Sequence, residues 1–143
     1  MVTRDTLVQA SFTVIAILSR VAAEQDLSLT QLRMLGILRD REPAMAELAT
    51  YLGLERSTVS GLIDRAVQRG LVQKTSDAAD GRSVRVSLTA AARRMEPRLI
   101  GEIGTLLAPM TDRLTSAELA ACPTMPDYMT GGRLALSWAR AIG

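Results

Sequence analysis

The sequence predicts a mostly helical fold carrying one small β-hairpin, and three observations predict it. Residues 56–68 repeat apolar side chains at helical spacing, with Gly70 following as a stop. Residues 84–88 alternate apolar and polar side chains, as a strand does. Gly53 separates two short apolar-striped segments closely enough for a helix-turn-helix.

Taken in order, residues 5–23 place Leu7, Ala10, Val14, Leu18 and Val21 on one stripe, with Ile15 and Ala22 beside it and Phe12 and Ile17 on other sides. A helix that is apolar over so much of its circumference implies a partner surface. Residues 28–39 form the next helix, capped by Ser28 or Thr30. Met45, Leu48, Ala49 and Leu52 then make a shorter stripe. Gly53 comes next, where a tight turn favours a residue without Cβ.

The fourth helix carries Val59, Leu62, Ile63, Ala66 and Val67 inward, and Gly70 stops it. Its other side holds Arg56, Ser57, Ser60, Gly61, Asp64, Arg65 and Gln68. Small hydroxyl residues and glycine near the N-terminal end leave room for close approach, and the cations are arginines. The ordinary alternative is a solvated helix face.

Leu71, Val72 and Lys74 form one strand of the hairpin, and Val84, Val86 and Leu88 give the other its buried face against outward Arg85 and Ser87. Asp80-Gly81 signals the turn, with Arg82 at or just past its tip. An arginine there suits a narrow minor groove, and Asp77 and Asp80 suit holding an arginine by charge-assisted hydrogen bonds. An exposed turn with incidental charges is the other reading. Thr89 caps a long helix in which Leu99, Ile103, Leu106 and Met110 form a packing seam and Pro97 introduces a kink. Thr115-x-x-Glu118 is a capping box for a helix starting near Ser116. Pro123, Pro126 and Gly131-Gly132 interrupt that helix early, and Leu134, Ala135, Trp138 and Ile142 line a short final helix.

The order is therefore α-α-α-α-β-β-α-α, a winged helix-turn-helix. In such a unit one helix enters the DNA major groove and the hairpin reaches the backbone or minor groove beside it. The chain of 143 residues is one domain, with the winged core at 29–89 and flanking helices at 1–27 and 90–143 serving association.

Residues 29–89 resemble the DNA-binding core of the MarR family of bacterial transcriptional regulators. The resemblance rests on LSLTQLRMLGIL (27–38), MAELATYLGL (45–54), RSTVSGLIDRAVQRGLV (56–72) and a wing of pattern D-x-x-D-G-R ending in VSLT (77–89). Ala78 stands where the family often has proline. Gly81 stands where it often has arginine, which removes one phosphate contact. The resemblance implies a homodimeric regulator, usually a repressor, on a pseudo-palindromic operator of double-stranded DNA, often released by a small aromatic effector.

The residues expected at DNA are Arg56, Ser57, Thr58, Ser60, Gly61, Arg65, Lys74, Asp80 and Arg82. The effector region that the family implies would be lined by Phe12, Ile15, Met34, Leu35, Met95 and Leu99, whose ordinary alternative is plain core. Aromatic content is 3%, so stacking partners are few.

Charge agrees. The chain is +2, yet residues 55–98 hold nine cations against five acids. A local basic patch on a nearly neutral chain suits reversible DNA binding. Sixteen of the seventeen cations are arginine, which favours bidentate contacts and equally fits a GC-rich genome.

Enzyme readings fare poorly. With no histidine there is no imidazole base, Ser-His triad or His metal site, and one cysteine excludes a Cys-rich zinc site, so no cofactor is expected. A protein-interaction module using the same outer face is the other non-enzyme class. No segment reads as long and apolar enough to span a membrane, no signal peptide is visible, and the lone Cys122 forms no internal disulfide; these point to the cytoplasm. Cys122 also lies far from the N-terminal helix, where peroxide-sensing relatives carry their reactive thiol, and reads as a passive one.

Overall fold

The computed structural model describes residues 4–76, 81 and 83–121. Within them the chain runs α1 (Arg4–Glu24), α2 (Leu29–Leu38), α3 (Met45–Leu52), α4 (Arg56–Gln68), β1 (Val72–Ser76), β2 (Val84–Leu88), α5 (Ala90–Thr111) and α6 (Ser116–Ala120). This is the order expected from the sequence. Asp77, Asp80, Arg82, Cys122 and the Pro/Gly-interrupted tail to residue 143 lie outside the described residues.

Local chemistry sets the boundaries. Ser28 Oγ accepts from the Gln31 amide at 3.1 Å while the Gln31 side chain accepts from the Ser28 amide at 2.9 Å, a reciprocal cap that starts α2. Gly53 at φ 66° and Gly70 at φ 70° end α3 and α4 in the left-handed conformation a β-carbon disfavours. Thr89 Oγ1 accepts from the Ala92 amide at 3.1 Å to start α5. Thr115 and Glu118 form the expected box at α6. Pro97 and Pro109 sit inside α5 without ending it.

The core lies where α2, α3, α4 and the hairpin converge. Met34, Leu38, Leu48, Val59, Ile63 and Val86 are each fully buried there. Burying such side chains stabilises by roughly 1.5–3 kcal/mol apiece. Two assignments need correction. Val67, expected inside, is 40% exposed, because it falls at the edge of the α4 stripe, to one side of the buried Ala66 and Ile63. Ser87, expected outside, is buried.

The second lies beside residues 42–44. The Val86 amide donates to the Pro43 carbonyl at 3.0 Å, the Arg85 guanidinium donates to the Glu42 carbonyl at 3.0 Å, and Ala44 bridges Arg85 antiparallel. β2 is thus flanked on both edges, by β1 in the register Val72↔Leu88 to Ser76↔Val84 and by this short extended stretch.

The N-terminal helix brings a further correction. α1 has 21 residues and is, by length and composition, apolar enough to cross a bilayer, contrary to expectation. Only Val21 and Ala22 of it are buried, at the end that packs on α2 and α5. Leu7, Val8, Phe12 and Ile15 are exposed.

Candidate nucleic-acid interface and the cavity behind it

The outward face of α4 is built by what holds its inward face. Val59, Leu62, Ile63 and Ala66 anchor the helix in the core, which leaves Arg56, Ser57, Thr58 and Arg65 exposed and Ser60 and Gly61 half-buried. The left-handed Gly53 turns the chain so that only three residues separate the end of α3 from the start of α4. Arg33 steadies that turn by donating to the Tyr51 carbonyl at 2.9 Å and the Leu52 carbonyl at 3.4 Å, orphan acceptors at the end of α3. At the far end of α4, Arg69 donates to the carbonyls of Gln25 and Asp26, so this arginine fastens the helix to the α1–α2 turn.

Among the described residues, neither Arg56 nor Arg65 has a hydrogen-bond or ion-pair partner. The Arg65 guanidinium lies back over Gly61, where a β-carbon would stand 3.6 Å from Nη1.

Lys74, expected at DNA, has a carboxylate neighbour. It is exposed on β1, but its Nζ lies 2.8 Å from Asp64 Oδ1 on α4. A cation expected at DNA is thus paired with a carboxylate across the helix–wing junction. Periodicity puts Asp64 on the outer face of α4 but gives no measure of its distance from β1. The role of the stretch at 42–44 is equally hidden from periodicity. Its one sequence signal is the Glu42-Pro43 pair, since a residue before proline favours extended backbone.

Behind the winged core, α1, α2 and α5 enclose a cavity of about 650 Å³. Of the six residues expected there, Ile15, Leu35, Met95 and Leu99 line it. Phe12 and Met34 do not. Phe12 is 62% exposed, turned to solvent by its place on α1, and Met34 is fully buried in the core beneath. Leu71 and Leu88, at the root of the hairpin, also reach the cavity wall, so the cavity touches the winged core directly. Arg39 and Glu96 are its charged members besides Arg33. Among the described residues no three His, Cys, Asp or Glu side chains converge as a metal ion requires.

The sequence profile of the MarR family matches residues 25–83. The winged core is a MarR-family domain. No curated protein sequence matches the chain. Solved structures share the fold. RV1404 from Mycobacterium tuberculosis is 26% identical, with a TM-score of 0.68 over 82% of this chain and 82% of that one. A mutant MarR from E. coli complexed with operator DNA is 22% identical, with a TM-score of 0.65 over 80% of this chain and 83% of that one. CouR from Rhodococcus jostii RHA1, bound to p-coumaroyl-CoA, is 19% identical, with a TM-score of 0.70 over 80% of this chain and 81% of that one. The matched stretch accounts for α2 to β1 and ends just before β2. α1 and α5, which wall the cavity, flank it.

Proposed function

We propose that this chain is a DNA-binding transcriptional regulator, a repressor rather than an enzyme, that binds a pseudo-palindromic operator as a homodimer in the cytoplasm. One observation carries the reading: α4 presents Arg56, Ser57, Thr58 and Arg65 outward, with both arginines unpaired among the described residues, beside a hairpin wing. Bases are read by such a face when the helix enters a major groove. The E. coli MarR structure with operator DNA supports the same docking here. Arg82, and Asp80 beside it, take the wing side, with Arg82 in the minor groove. Ser60 and Gly61 provide close approach.

The homodimer is supported by the exposed apolar half of α1, which leaves Leu7 and Phe12 each 62% exposed in a single chain. Two copies related by a two-fold axis match the symmetry of a palindrome. A small molecule in the cavity is the effector, as the CouR structure with its ligand supports by analogy. The small aromatic class is what the family implies; the residues of the cavity wall argue for another class.

The test is a titration of the protein against duplexes from its own promoter region. Binding should be to paired half-sites about 10 bp apart centre to centre, and should fall steeply with salt as phosphate contacts release counterions. Salt-independent association, or none with any such duplex, overturns the reading.

A further inference from the structure

The geometry points to an aliphatic carboxylate as the cavity's ligand, its chain among α1, α2 and α5 and its head group on the terminal nitrogens of Arg39, beside Glu96. This rests on the reading of the cavity as an effector site and specifies what that site accepts.

The wall decides the tail. Ile15, Leu18, Leu35, Met95, Leu99 and Ile103 are typical of it, and no aromatic side chain is among its described residues. Aromatic rings gain specificity from stacking or edge-to-face partners, and the described wall offers none. A flexible saturated chain needs only apolar area. Branched aliphatic side chains and methionine supply that, in a volume within the usual range for small-molecule sites.

The cations decide the head. Two arginines reach the cavity, and Arg33 is committed to the carbonyls of Tyr51 and Leu52. Arg39 is less engaged. Its Nε is 3.3 Å from Asp40 and 3.8 Å from Glu96, and among the described residues its terminal nitrogens have no partner. A ligand carboxylate would meet those two terminal nitrogens end-on, a bidentate geometry a guanidinium offers, beside the Nε contact to Glu96, whose charge opposes it.

The same residue gives the ligand a route to the wing. Arg39 closes α2, and the chain passes from it directly to residues 42–44, which are hydrogen-bonded to β2. A ligand that holds Arg39 in a new place therefore favours one setting of the wing over another, which is what changes operator affinity.

The experiment is calorimetric titration of the intact protein, without DNA, with sodium hexanoate, octanoate and decanoate below their micellar concentrations, and with 1-decanol and sodium salicylate. Decanoate should bind at least tenfold tighter than decanol or salicylate, and affinity should rise about fourfold per methylene along the series. Arg39→Gln should weaken decanoate tenfold or more and leave decanol unchanged. Glu96→Gln should tighten decanoate. Both side chains are partly exposed, and circular dichroism checks that each variant folds. Salicylate binding tighter than decanoate overturns the inference, as does decanoate binding untouched by Arg39→Gln or undetectable at millimolar concentration. A second arm adds operator duplex. Decanoate should weaken duplex binding by wild type and not by Arg39→Gln, and equal loss in both overturns the proposed route. If no duplex binds while decanoate does, the regulator reading has failed and the ligand assignment stands.

Discussion

Lys74 Nζ lies 2.8 Å from Asp64 Oδ1, and the pair fastens the first strand of the wing to the helix proposed to enter the major groove. Both side chains are about half exposed, so the pair contributes little to folding stability, under about 1 kcal/mol. Its consequence is geometric: it fixes how far the wing stands from α4. Lys74→Met and Asp64→Asn should each weaken operator binding. The double variant should be no worse than either single one, because both singles remove the same strut. A phosphate-contacting Lys74 predicts the opposite for Asp64, since losing a nearby carboxylate would then tighten binding. A double-mutant cycle on duplex affinity, with the salt slope measured for each variant, separates the two.

Arg65 is the expected base reader. It is exposed, unpaired among the described residues, and held over Gly61, on the side of α4 opposite the buried Val59 and Ile63. Arg65→Ala should cost about 1–3 kcal/mol of binding and relax the preference at one position per half-site. Arg56→Ala, at the first residue of the helix, should weaken all duplexes alike and lower the salt slope by about one. Binding of a randomised duplex pool, sequenced before and after selection, checks both. Uniform weakening by Arg65→Ala would make it a phosphate clamp.

The winged core is legible in the sequence because its signals are local. The caps at Ser28, Thr89 and Thr115, the stops at Gly53 and Gly70, and the α4 stripe each depend on residues within one or two turns, and each stands where the spacing puts it. Contacts between distant segments are not legible. The pairing of residues 42–44 with β2 joins positions more than forty apart, beside the buried Ser87. The Asp64–Lys74 pair needs the angle between helix and hairpin, which no periodicity gives. Phe12 shows the same limit: apolarity marks that a side chain wants a partner, not which partner. Phe12 is 62% exposed, while Ile15, one turn on, reaches the cavity wall.

The exposed apolar residues of α1 give the assembly prediction. A single chain leaving Leu7, Val8 and Phe12 in water carries an apolar patch of the kind soluble proteins cover. The intact protein should sediment as a dimer at micromolar concentration. Leu7→Glu combined with Phe12→Glu, or truncation before Ser11, should shift it toward monomer and lower operator affinity in step. Helix content of the winged core should persist, since neither side chain belongs to the core. A monomeric wild type at that concentration overturns the homodimer.

The last prediction concerns pH and the packing of α1 on α5. Glu24 on α1 and Glu102 on α5 share a hydrogen bond between their carboxyl groups. That bond holds Glu24 below the usual carboxylate range and, with some desolvation and the repulsion of the Glu24 charge, pushes Glu102 above it. Arg20 and Arg98 stand near both carboxyls and favour their charged forms, and Arg20 pairs with Glu24 at 3.4 Å. Glu102 thus binds its proton more tightly folded than unfolded. Its contribution to stability is fully present below its unfolded pKa and is lost as pH rises through its raised folded pKa. Glu24 runs the other way: its contribution is present above its unfolded pKa and is lost as pH falls through its lowered one. Glu102→Gln keeps a donor for Glu24 and removes the repelling charge. The variant should therefore be slightly more stable than wild type at neutral pH, and the difference should vanish as pH falls below the raised Glu102 value, where wild type carries the proton itself. Denaturation midpoints from pH 4 to pH 8 check this. A difference that grows toward acid pH would mean that Glu102, not Glu24, holds the charge.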